Sequence, residues 1–217
     1  RFANCQAQAP WTLPGMASIL TGLSEKSHGC NRYSGFSHGL DPEVPTLTTI
    51  LSEQGYHTAM FINNHYLGPD FGLSRGYEHF WMGTDSVDYA HVTMDTVLAY
   101  MQTDMDGNEP FLLTVHLFDP HLPYDPPSPF DTAFKSSGAA GSTTWPGMAV
   151  SGLSTVVEHM KAMYDSELLW TDSQLERLFS ALRTLELDEN TLVILVADHG
   201  EEFMEHGDWG HAHNLYQ

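Results

Sequence analysis

A mixed α/β fold follows from three features of the sequence. Segments with helical spacing alternate with strand-like ones and no internal repeat appears. Two continuous apolar runs, 111–118 and 191–197, read as buried strands. Hydrophobic residues make up 41% of the 217 positions, enough to bury one sizeable core. The length suits one domain, and because the chain opens on Arg1 and stops at Leu215-Tyr216-Gln217 inside a patterned stretch, a domain truncated at both ends is expected.

The elements follow in order. A first helix is expected over 13–23, with Thr12 as its N-cap, Pro14 in its first turn and Gly22 near its end. A second helix, 45–54, closes at Gly55, and the β-prone run 57–63 is a strand. Residues 89–103 carry helical apolar spacing, and the strand 111–118 ends at Asp119-Pro120-His121. The stretch 126–152 is rich in Pro, Gly, Ser and Thr, which predicts a long surface loop or lid. From Thr155, the residues Val157, Met160, Tyr164, Leu168, Leu175, Leu178 and Leu182 recur on one face of a long amphipathic helix. After a turn at 188–190, the strand 191–197 delivers Asp198 and His199.

Composition narrows the partners. Eight basic residues against 28 acidic ones give a formal charge of -20, which repels nucleic acid and anionic membranes. An anionic small molecule remains a possible substrate if cations are concentrated locally, as a metal would do. No run of eighteen apolar residues exists, so no membrane span is predicted within the chain. Cys5 and Cys30 lack metal-ligand spacing and read either as a disulfide pair or as two unrelated thiols.

In open α/β sheets, ligands bind beyond the carboxyl ends of the strands. Two apolar strands end there in Asp-and-His pairs, Asp119/His121 and Asp198/His199, and His211 follows in a polar loop. The segment 198–213 holds four histidines and five acids, and mixed carboxylate and imidazole donors suit Zn²⁺ or Mn²⁺ better than Ca²⁺. Two adjacent ligands do not complete a site, and the hydroxyl of Thr12 offers another. A bound cation would lower its pKa and create a nucleophile, while the helix N-terminus would attract a phosphate or sulfate oxyanion.

Thr12-Leu13-Pro14, Ala17-Ser18-Ile19-Leu20-Thr21-Gly22 and His28-Gly29 together resemble the signature of the sulfatase family of the alkaline phosphatase superfamily. Asp119-Pro120-His121-Leu122-Pro123-Tyr124, Tyr164-Asp165 and Asp198-His199-Gly200-Glu201 fall in the family's order, so the resemblance spans most of the chain. It implies an alkaline-phosphatase-like central β-sheet flanked by helices on both faces, with the first strand and the C-terminal part missing. It also implies Thr12 as the metal-bound nucleophile, Asp198 and His199 as metal ligands, and His121 and His211 as groups binding the transferred oxyanion or a second metal. Glu201 would orient a ligating histidine or be a solvated acid.

Two departures are informative. Family sulfatases convert Cys or Ser in Cys/Ser-x-Pro-x-Arg to formylglycine, whereas these positions are Thr12, Pro14 and Met16, so no formylglycine is expected. The Trp-Thr-Leu-Pro form is more similar to that of phosphoethanolamine and phosphoglycerol transferases. The family's first strand, with one or two acidic metal ligands, would precede Arg1. The resulting expectation is a metal-dependent hydrolase or transferase of small-molecule, lipid or sugar phosphate or sulfate esters. A formylglycine-independent sulfuric ester hydrolase and a degenerate binding domain are the alternatives within the family. A serine hydrolase using Ser37, in Gly35-Phe36-Ser37-His38-Gly39, is the alternative outside it.

Overall fold

The computed structural model describes residues 2, 4–33, 35–83, 90–105, 107, 109–134 and 153–215. At its centre β3 (His57–Ile62) pairs in parallel with β4 (His79–Met82) on one side and β5 (Phe111–Val115) on the other. Side chains alternate across β3 as strand geometry dictates. Met60 and Ile62 enter one apolar cluster with Leu13, Met16, Ala17 and Leu20 of α1 (Thr12–Thr21). Ala59 and Phe61 enter the opposite cluster, with Met94, Val97 and Met101 of α4 (Ala90–Thr103) and Leu182 of α5 (Leu153–Thr184). Helices thus cover both faces. Full burial of Met60, Phe61 and Ile62 contributes roughly 1.5–3 kcal/mol per side chain.

Around this centre, α2 (Glu25–His28) leads into an antiparallel hairpin of β1 (Asn31–Tyr33) and β2 (Phe36–His38). Helix α3 (Leu47–Glu53) starts at Thr46, whose buried hydroxyl accepts from the Thr49 amide while the Thr49 hydroxyl answers the Thr46 amide. A second hairpin, β6 (Glu202–Phe203) with β7 (Trp209–Gly210), packs Phe203 and Trp209 against Tyr124 and Met160.

Several expectations change. Trp11, not Thr12, is the N-cap of α1: its backbone is extended at φ −158°, ψ 166°, and its carbonyl accepts the Gly15 amide. Thr12 is the first helical residue and its hydroxyl does no capping. The strand expected at 111–118 stops at Val115 and is half-buried, because among the described residues β5 pairs on one edge only. The run 191–197 is not a buried strand: Leu192 is 85% exposed and Ile194 73%, and no described strand pairs with it. Apolar sequence supplies the propensity, but a strand exists through its ladder. Leu168, placed on the apolar stripe of α5, is also exposed. Strand β4 was not expected, being too short for a period to register. Ser37 lies in the β1–β2 hairpin rather than between a strand and a helix, which removes the serine-hydrolase elbow. Of the expected loop 126–152, residues 126–134 form irregular backbone with a short turn at Phe130–Thr132, and 135–152 lie outside the described residues. No described helix is long and apolar enough to cross a membrane.

Both cysteines are free, Cys5 exposed and Cys30 buried, which decides against a disulfide. Burial pushes the Cys30 thiol up to about 11, leaving it without thiolate at neutral pH. A thiol-reactive dye at pH 8 is expected to label one cysteine per native chain, Cys5, and both after unfolding; two labels on the native chain would contradict this core.

Candidate active site

The carboxyl ends of β3 and β5 and the N-terminal turn of α1 meet at one place. A close backbone approach joins α1 to the segment after residue 197. A Cβ on Gly15 would stand 2.8 Å from the Asp198 carbonyl oxygen, so only glycine allows this contact. The Ala212 amide donates to the Pro10 carbonyl at 2.7 Å, tying the 211–213 loop to the residues just ahead of α1. Ala212 has φ 74°, a left-handed conformation that side-chain-bearing residues adopt at a cost.

These ties bring Thr12, buried at 7% exposure, against His199, with Oγ1 3.4 Å from Nε2. His199 Nδ1 lies 2.9 Å from the Gly200 carbonyl, an acceptor only, so in the neutral ring the proton is on Nδ1 and Nε2 offers its lone pair to Thr12. The rings of His199 and His211 lie 4.4 Å apart, and His211 and His121 meet edge to face at 5.2 Å. His211 Nδ1 donates to Glu201 Oε1 at 2.9 Å, and the other Glu201 oxygen accepts from the Tyr124 hydroxyl at 2.9 Å. Burial first, then the Glu201 charge, holds the Tyr124 phenol far above its ordinary value, so it stays a donor. Glu201, with its side chain 6% exposed, is therefore not the solvated acid of the alternative reading.

His121 stacks on Phe118 at 4.2 Å and donates Nδ1–H to the Leu122 carbonyl at 2.7 Å. Burial lowers its pKa, as expected for an imidazole taken from water. Asp119, the other half of that sequence pair, does not join the histidines: its Oδ2 accepts the Ala90 amide at 2.8 Å and so caps α4.

The sequence reading missed His116 and Gly15. His116 follows β5, is half-buried with a pKa lowered first by desolvation, and feels the charges of Asp198, His199 and His121. The available signal was a histidine inside an apolar run at a strand's carboxyl end. For Gly15, it was a glycine in the first turn of a helix, where it costs stability unless something needs the space.

Two buried polar atoms here, His116 Nδ1 and Asp198 Oδ2, have no hydrogen-bond partner, and Asp198 Oδ2 stands 3.6 Å from His199 Nε2. An orphaned carboxylate oxygen beside an imidazole lone pair suits a divalent cation of the Zn²⁺ or Mn²⁺ type. Among the described residues, however, no three His, Cys, Asp or Glu side chains are arranged as a ready-made site. The donor chemistry fits a metal, and the number of described donors falls short of the usual three or four.

A profile of the sulfatase family matches residues 1–217, the whole chain. The chain belongs to the sulfatase family. Within the alkaline phosphatase superfamily it is 24% identical to arylsulfatase K of Rattus norvegicus, over 94% of this chain and 44% of that protein. It thus spans about half the length of the curated relatives it matches. Phosphonate monoester hydrolase of Agrobacterium radiobacter has a similar fold, with TM-score 0.76 and 17% identity over 94% of this chain and 56% of that one. The C-terminal periplasmic domain of EcEptC from Escherichia coli, solved in complex with Zn, gives TM-score 0.67 and 19% identity over 97% of this chain and 56% of that one. These likenesses establish the central sheet with helices on both faces as a sulfatase fold.

The Gly15 contact gives a direct check on this geometry. Gly15→Ala must move either α1 or the Asp198 backbone, at a cost of about 1–3 kcal/mol. The expected result is a lower melting temperature together with loss of activity, because Thr12 and Asp198 lie on opposite sides of the contact. Parent-like stability and turnover would refute the approach.

Proposed function

We propose that this sulfatase-family domain cleaves or transfers phosphate or sulfate esters, with Thr12 as nucleophile. The observation that carries the reading is the buried Thr12 hydroxyl, released from capping and 3.4 Å from a His199 nitrogen whose lone pair faces it. Phosphoesters are favoured over sulfates, since Thr12 cannot become a formylglycine and Met16 cannot supply the family arginine's charge.

Asp198, His199 and the Thr12 hydroxyl are the groups that would hold a divalent cation, with Zn²⁺ or Mn²⁺ favoured over Ca²⁺. When bound, such an ion lowers the hydroxyl's pKa and offsets substrate charge. The rest follows from the side chains. The Thr12 hydroxyl gives up its proton to solvent and its Oγ attacks phosphorus or sulfur in line; the bond from that atom to the leaving oxygen breaks, the leaving oxygen takes a proton from water, and a threonyl ester remains. His211, oriented by Glu201, turns Nε2 toward the transferred oxyanion and stabilises it when protonated. His121 plays the complementary part. Neutral, with Nδ1–H held by Leu122, it has no proton to give at Nε2, and it suits taking the proton of the water or acceptor alcohol that resolves the ester.

The test uses the full-length protein with aryl phosphate and aryl sulfate esters. Thr12→Ala is expected to lose turnover by about 10³-fold or more while keeping its melting temperature. Quenched parent enzyme is expected to carry a phosphoryl or sulfuryl group on the Thr12 peptide by mass spectrometry. A fully active Thr12→Ala variant would overturn the nucleophile. Chelation is expected to abolish turnover and added Zn²⁺ or Mn²⁺ to restore it; unchanged rates after complete metal removal would overturn the cation.

A further inference from the structure

Glu167 of α5 is a buried carboxylate, 3% exposed, in a position where the helix could have carried an apolar residue. Burying it carries a desolvation cost. It makes no ion pair among the described residues. Its Oε1 accepts the backbone amide of Asp125 at 2.6 Å, and the His121 backbone amide is close enough to favour its charged form. Its Oε2 is buried with no hydrogen-bond partner. Those two amides bracket the turn 121–125, which carries His121 into the site and presents Tyr124 to Glu201.

We propose that Glu167 is a positioning residue of the active site: as a buried acceptor it clamps the 121–125 turn onto α5 and so fixes where His121 Nε2 points. The turn is then held twice, by Glu167 through its backbone and by Glu201 through the Tyr124 hydroxyl. Without the first clamp, the turn that carries Leu122, whose carbonyl sets the His121 tautomer, loses one of these two restraints. Nothing in the clamp requires a negative charge. Desolvation first, with Asp119 and Asp125 adding repulsion, raises the Glu167 carboxyl to about 8, so near neutrality it serves mainly as a protonated acid whose carbonyl oxygen accepts. A glutamine keeps that acceptor without needing a charge.

This inference rests on the site reading given above, but its test does not depend on the nucleophile. In the full-length protein, Glu167→Gln is expected to keep kcat within about threefold of the parent. Glu167→Leu removes the acceptor, and Glu167→Asp draws it back by about 1.5 Å. Both are expected to lower kcat by about a hundredfold with KM within threefold, and Glu167→Asp serves if the leucine variant does not fold. In a His121→Ala background, Glu167→Asp should cost nothing further, since a residue acting through His121 has nothing left to position. Independently of turnover, the Asp125 amide proton resonance should move upfield and the His121 ring resonances shift in Glu167→Asp but not in Glu167→Gln. A parent-like kcat in Glu167→Asp, an equal loss with and without His121, or unmoved Asp125 and His121 resonances would each overturn the clamp. An active Thr12→Ala variant would overturn the nucleophile and leave this result standing.

Discussion

The site depends on the contact between the first turn of α1 and the backbone of Asp198, made possible by the missing Cβ of Gly15. The two partners lie far apart in sequence and neither is a strand of the central sheet. α1 is anchored independently, by Leu13, Met16, Ala17 and Leu20 against Met60 and Ile62 of β3. The 198–213 segment is anchored differently, through Phe203 and Trp209 against Tyr124 and Met160. Only where these two anchored bodies touch can a hydroxyl from one face an imidazole from the other. Packing density in protein interiors means that a one-carbon change at such a contact is transmitted rather than absorbed.

Much of this was legible in the sequence, for reasons that differ by element. Helices α1, α4 and α5 and strands β3 and β5 showed because periodicity is a local property, and the polar segments at 119–121 and 198–199 showed because they interrupt apolar runs, although β5 ends earlier and 191–197 is not a strand. His121, Asp198 and His199 were singled out that way, Thr12 from its place before a helix and His211 from a polar loop; the structure places the five near one another, with Asp119 diverted to cap α4. What sequence could not supply was pairing. The run 191–197 has the composition of a buried strand, yet its burial depends on a neighbour that composition does not encode. The same holds for Thr12. A hydroxyl before a helix is a cap by propensity, and the residue that displaces it from that role is Trp11, whose backbone turns the chain into the helix without a side-chain capping bond.

Two acids, Glu201 and Glu167, illustrate how hydrogen-bond partners divide the labour among buried carboxylates. Glu201 sits between two side-chain donors, Tyr124 O–H and His211 Nδ1–H, and therefore fixes a ring. Glu167 meets backbone donors and therefore fixes a turn. Both act on the same stretch, since Tyr124 and the Asp125 amide are consecutive. A histidine ring placed by a short loop has several soft torsions, and holding the loop from two sides removes most of them before substrate arrives, which is the form preorganisation takes in a site built from loops.

The chain's charge also fits this arrangement. At -20, it opposes any anionic substrate at long range. Among the described residues, several basic side chains are engaged away from the histidines: Arg75 on the carbonyls of Gly72, Asp41, Pro42 and Val44, Arg177 on Asp95, and Lys161 on Glu205. Arg32 lies over Trp11 and donates to Tyr66. In the proposed mechanism, positive charge at the point of transfer would come from the site's own imidazoles or from a cation held at the unpartnered Asp198 Oδ2. Clustered histidines suit such a role on a strongly acidic chain, because an imidazole can carry charge where an anion binds without adding a permanent cation to the surface.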